Sequence, residues 1–178
     1  AGMLPLKRAD YRAPADSHLV AMLRRAGFVI VGKTNTSELG VVPTADPPAW
    51  PPSKYEPDVV VVALGTNDLD DNHDAPGDNY KTALTNFVVA IRTAHANAHI
   101  VLASSPMLDG EKKATQKSVM QGIVDARKGT GDTKVSFLEV ATQDEATDGL
   151  GCDYHPSAKT QQKMGATLTA HLKTTLGW

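Results

Sequence analysis

At 178 residues the chain has the size of one compact domain built on a single hydrophobic core. Apolar residues make up 41% and charged residues 21% of it, which excludes the disordered and membrane-embedded classes. A net charge of -2 gives no electrostatic reason to expect nucleic acid or an anionic membrane as partner, so a neutral or small substrate is the better expectation. Cys152 is the only cysteine, which rules out an internal disulfide and a cysteine metal cluster and leaves the compartment open. No run approaches the roughly 18 to 20 apolar residues of a membrane span, and the opening AGMLPLKRAD lacks the apolar stretch of a signal peptide.

In chain order, Asp16 or Ser17 caps a first predicted helix carrying Leu19, Val20 and Leu23, which Gly27 ends. FVIV at 28–31 reads as a short buried strand. Pro43, Pro47, Pro48, Pro51, Pro52 and Pro57 then crowd together, and because proline removes backbone donors this stretch is an irregular connector. The chain is accordingly divided into a helix-strand fragment at 1–46, a connector at 47–56 and a main domain at 57–178.

VVVVAL at 59–64 has the continuous β-branched character of an interior parallel strand. Leu84, Phe87, Val88 and Ile91 recur at helical spacing behind a capping Asp78 or Asn79. IVLA at 100–103 is the next strand, followed by a helix bearing Val119, Ile123 and Val124 that stops near Gly129, and by strand VSFLEV at 135–140. Ser157 caps a last helix with Met164, Leu168, Leu172 and Leu176. Strands alternating with helices predict an α/β fold with a central parallel sheet and right-handed crossovers. In such sheets functional loops lie beyond the carboxyl ends of the strands, which selects GTNDLDD, SSPMLDG and QDEATDGLGCDYHPS.

Two of these loops carry suitable chemistry. In Gly65-Thr66-Asn67-Asp68 an asparagine amide at a strand end is able to stabilise an oxyanion, although Gly, Asn and Asp also favour ordinary turns. Most of the six histidines, among them His18, His95, His99 and His171, read as surface or helix passengers. His155 differs, because it lies between the strand at 135–140 and the last helix with Pro156 restraining its backbone. Asp153, two residues before it, is either its orienting carboxylate or a loop cap.

The order strand-GTND and then, about ninety residues on, Asp-Tyr-His-Pro before the last helix resembles the third and fifth sequence blocks of the SGNH (GDSL) hydrolases. The likeness runs through PDVVVVALGTND, AHIVLASSPMLDG and DGLGCDYHPSAKTQQKMGATLTAHLKTTLGW, and is greatest to carbohydrate esterase family 2. It implies a flavodoxin-like three-layer sandwich, truncated or with a substituted first strand. It also implies hydrolysis of acetyl or short acyl esters, including acetylated carbohydrate, without metal or organic cofactor. His155 would be the general base, with Asn67 and the Gly65 backbone in the oxyanion hole. The family's common spacing puts Asp three residues before His, where Cys152 stands here, so a backbone carbonyl is an alternative orienting group to Asp153. The family also suggests secretion.

The family's Gly-Asp-Ser nucleophile block has no recognisable counterpart in the chain. Residues 1–46 instead resemble a fragment of the amidase signature enzymes through YRAPADSHLVAMLRRAGFVIVGKTNTSELG, in which Lys33 belongs to the motif without being that family's catalytic lysine. In VIVGKTNTSELG the strand-Gly-x-hydroxyl order puts Thr34 in register with the absent serine, with Ser37 in the same loop. Ser17 reads first as a helix cap, and Ser104 and Ser105 as polar strand ends. A non-catalytic remnant that binds carbohydrate is the alternative reading, and a second copy completing the sheet is a further expectation.

Overall fold

The computed structural model describes residues 56–69 and 77–178. They belong to the second of the two units into which the chain divides, Glu56–Trp178. Its elements run β1 (Val59–Val62), α1 (Gly77–Ala94), β2 (His99–Ala103), α2 (Gly110–Gly129), β3 (Val135–Leu138), a short α3 (Glu145–Asp148), a 3-10 turn (Cys152–Tyr154) and α4 (Ala158–Leu176).

The three strands form one parallel sheet in the order β1-β2-β3. Val59 pairs with His99 and Val62 with Leu102, while Ile100 pairs with Val135 and Ala103 with Leu138. Central strand β2 is buried along its whole length, which is why HIVLA needs apolar groups on both faces. Ile100 and Leu102 join Leu84, Val88 and Ile91 of α1 and Met120, Ile123 and Val124 of α2 in one core. Val101 and Ala103 point the other way and meet Leu138, Val140 and Leu172 with Met164, Leu168 and Leu176 of α4. Alternation along β2 therefore separates two apolar layers, with helices on both faces of the sheet.

The helices follow local rules. Ser157 accepts a hydrogen bond from the Thr160 amide at 3.1 Å and starts α4, and Gly177 in the left-handed region ends it. The expected cap at Asp78 lies inside the first turn of α1, one residue after the helix begins. Phe87, expected on the buried stripe of α1, is 45% exposed at its edge.

The amino end of the sheet is locked by polar groups. Arg92 of α1 makes a two-pronged contact with Asp132 at 3.0 and 3.1 Å, and Arg127 of α2 reaches the same carboxylate at 2.7 Å. Burial alone would raise the Asp132 carboxyl, but hydrogen bonds from Arg127 and Arg92 hold it below the usual range. His99 and His171, expected as surface groups or passengers, are joined through Ser136: their Nε2 atoms lie 2.9 and 2.8 Å from its hydroxyl. The contact ties α4 to the sheet, and both imidazoles are lowered, chiefly by burial.

Candidate active site

Strand β1 stops at Val62, two residues earlier than the apolar run suggested. The Leu64 carbonyl accepts from the Tyr80 hydroxyl at 3.1 Å and from the Gln116 amide at 3.0 Å, instead of from a neighbouring strand. Gly65 follows with φ +104, where a side chain is strained. A Cβ there would sit 2.5 Å from the end of the Tyr80 ring, so the position needs glycine for space as well as for conformation. Burial pushes the Tyr80 phenol up to about 12, so near neutral pH it remains a donor to Leu64.

Gln116 is fully buried with both ends of its amide engaged: Nε2 donates to Leu64 and Oε1 accepts from the Ser105 amide at 2.8 Å. Thr66 donates to the Ser105 hydroxyl at 2.8 Å. These bonds fasten the Gly65–Asp68 turn to the loop after β2. Asn67 sits on that turn, exposed, and its side chain makes no hydrogen bond among the described residues. Tyr80 and Gln116 were missed by sequence reading, since neither lies in a motif; a polar Gln at a helical position facing an apolar core was the only hint.

His155 stands on the loop before α4. The loop closes on itself through the Gly151 amide, which donates to the His155 carbonyl at 2.7 Å, and an antiparallel bridge pairs Leu150 with Pro156. A Cβ on Gly151 would lie 3.0 Å from that carbonyl oxygen, which explains glycine at this close crossing. Between the two arms, Asp153 and Tyr154 take φ values of 52 and 58, two consecutive non-glycine residues in the left-handed region.

That backbone places two carbonyl oxygens at the imidazole. Nδ1 of His155 lies 2.8 Å from the Asp153 carbonyl and 3.1 Å from the Cys152 carbonyl. A carbonyl only accepts, so Nδ1 carries the hydrogen and Nε2 of the neutral ring keeps its lone pair. The partner of the ring at position 153 is thus the main-chain oxygen; among the described residues the Asp153 carboxylate makes no hydrogen bond to it.

Both polar loops lie beyond the carboxyl ends of the strands. Ser104 and Ser105 are there too but are committed elsewhere. Ser104 accepts from the Val140 amide at 2.9 Å, and Ser105 accepts from Thr66 and from the Met107 amide. Lys113 donates to the Ser105 and Val140 carbonyls at 3.2 and 2.6 Å, joining the loops after β2 and β3. Burial lowers the Lys113 amine, with Glu139 and Asp109 opposing the shift. Thr34, Ser37 and Ser17 lie outside the described residues, as does Lys33. Among the described residues no group of three or more His, Cys, Asp or Glu side chains is arranged to hold a metal ion.

The carboxyl edge of this parallel α/β sheet carries an asparagine turn and a histidine fixed in one tautomer. Residues 8–163 match the GDSL-like Lipase/Acylhydrolase family, and the chain belongs to that family. It is 40% identical over 129 residues to Cellulase/esterase CelE of Acetivibrio thermocellus, covering 72% of this chain and 16% of that protein. It is 28% identical over 139 residues to an acetylxylan esterase / glucomannan deacetylase of Cellvibrio japonicus, covering 76% of this chain and 36% of the relative. The chain therefore spans well under half the length of either. A family two carbohydrate esterase from Clostridium thermocellum, solved in complex with cellohexaose, superposes with a TM-score of 0.68 at 39% identity, over 72% of this chain and 39% of that one. A separate stretch of 45 residues, 25% of this chain, is 49% identical to 6-aminohexanoate-cyclic-dimer hydrolase of Paenarthrobacter ureafaciens, of which it covers 9%.

Proposed function

We propose that the chain hydrolyses acetyl or other short acyl esters, with acetylated carbohydrate as the substrate class and His155 as general base. The observation that carries this reading is the pair of main-chain carbonyls on Nδ1, which leaves Nε2 as the proton acceptor. Asp153 contributes through its carbonyl. Membership of an acylhydrolase family and the carbohydrate esterases among the relatives support the ester class.

In this reading a hydroxyl oxygen bonds to the acyl carbon while its proton passes to Nε2 of His155. The Asn67 amide and the Gly65 amide donate to the oxyanion. The alcohol leaves with the proton from Nε2, and water then repeats the sequence to release the acid and restore the hydroxyl. The sequence register assigns that hydroxyl to Thr34, with Ser37 second.

Turnover of a short-chain p-nitrophenyl ester tests the assignment. His155→Ala is expected to reduce it by about 100-fold or more, the usual contribution of a general base, and unchanged turnover overturns the role. Covalent labelling by an organophosphonate followed by peptide mapping identifies the hydroxyl. The missing Gly-Asp-Ser block favours a second reading, a non-catalytic carbohydrate-binding domain. Tight binding of an acetylated sugar without hydrolysis or labelling would support that reading.

A further inference from the structure

The turn that carries His155 has little to hold it. Cys152, Asp153, Tyr154 and His155 are all exposed, with Tyr154 at 74%, so no apolar side chain anchors the turn in the core. Its two consecutive left-handed residues are nevertheless what bring both carbonyls onto Nδ1. A backbone conformation of this kind persists only where the surroundings impose it. The Gly151–His155 bond closes the loop at its base, and within the turn the peptide between Tyr154 and His155 is held only at its N–H, which donates to the Cys152 carbonyl at 3.2 Å.

Among the described residues, two side chains from outside the loop reach it: Gln161 of α4 donates to the Pro156 carbonyl at 3.0 Å, and Gln143 reaches the turn itself. Nε2 of Gln143 donates to the Tyr154 carbonyl at 2.8 Å. The amide orientation is unambiguous, because the carbonyl only accepts. The Gln143 backbone is itself fixed, its N–H donating to the Pro106 carbonyl at 2.8 Å. Pro106 follows Ser105, whose hydroxyl accepts from Thr66 of the Asn67 turn. A bonded path thus runs from the asparagine turn through the loop after β2 to Gln143 and on to the peptide preceding His155. Oε1 of Gln143 is buried and has no partner. An apolar side chain would spare the fold that cost, so the feature the position uses is the amide N–H.

We propose that Gln143 is the positioning residue of the proposed base: it holds the left-handed Tyr154 peptide and thereby keeps the His155 ring as the Nδ1–H tautomer. The proposal rests on His155 acting as base, and its test is read first without activity. The full chain is labelled with 15N-histidine, long-range proton–nitrogen spectra report the tautomer of each ring, and His155→Gln assigns the resonance. In the unsubstituted chain His155 is Nδ1–H; in Gln143→Met, similar in volume but without a donor, it becomes a mixture of both tautomers. In the same variant kcat falls by about tenfold while KM stays within about twofold, the pattern of a lost transition-state contribution. If Gln143→Met does not fold, Gln143→Glu, nearly isosteric but with only acceptors facing the carbonyl, gives the same reading.

A His155 ring that stays fully Nδ1–H in the folded variants overturns the proposal, and so does a loss of thermal stability with no change of tautomer. The two readings fail separately. Unchanged turnover in His155→Ala removes the base, whereas an unmoved tautomer removes Gln143 whatever His155 does.

Discussion

Replacing Gly65 by alanine sets two costs against each other at one atom. The residue sits at φ +104, outside the β and right-handed α regions, and forcing an L side chain there costs about 1–3 kcal/mol. The new Cβ would also lie 2.5 Å from Cε2, Cζ and the oxygen of Tyr80. Tyr80 is only 4% exposed and donates to Leu64, so its ring has no free direction in which to retreat. Overpacking of that kind adds about 1–3 kcal/mol. Gly65→Ala should therefore lose about 2–6 kcal/mol, a large share of the roughly 5–15 kcal/mol that holds a typical domain folded. Urea unfolding followed by circular dichroism measures it. In a Tyr80→Leu background the clash is gone and only the backbone strain remains, so the same change should cost about 1–3 kcal/mol. A loss below about 1 kcal/mol in the unsubstituted chain, or equal losses in both backgrounds, would refute the account of this turn.

Acid should weaken the attachment of α4. His99 and His171 are lowered in the folded chain, so their neutral forms are favoured there and the unfolded chain takes up protons first. The associated stability is fully present above the ordinary histidine value near 6.5, falls as pH drops through it, and stops falling below the folded values. Unfolding midpoints measured across that range should show the loss, and His99→Gln with His171→Gln should flatten it. Asp132→Ala removes the shared carboxylate and leaves Arg92 and Arg127 facing each other at the amino end of the sheet; a loss of about 3–5 kcal/mol by urea unfolding is expected. Because Asp132 is held below the usual carboxylate range, its contribution is present above the unfolded value and vanishes as pH falls through the folded one. Asp153→Asn keeps the carbonyl and tolerates a left-handed backbone, so ester turnover should stay within about twofold; a loss of about 100-fold would assign the orienting role to the carboxylate.

Much of the architecture was legible because its causes are local. The β-branched run at 59–62, the apolar HIVLA strand and the Ser157 cap each express a preference of a few adjacent residues, and alternation with helices then required a parallel sheet. The same rule sent Asn67 and His155 to the carboxyl ends of strands. What the sequence left open was which atom meets which. Nothing in Cys-Asp-Tyr-His-Pro announces that Asp153 and Tyr154 turn left-handed, yet that choice decides between carboxylate and carbonyl as the partner of Nδ1. Gln116 and Gln143 carry no motif, because their significance comes from carbonyls 52 and 11 residues away in the chain. His99 and His171 looked like separate passengers until packing set both against Ser136. Periodicity and capping act over a few residues and are written in order along the chain; the partners of a buried amide or imidazole are fixed only when distant loops close on one another.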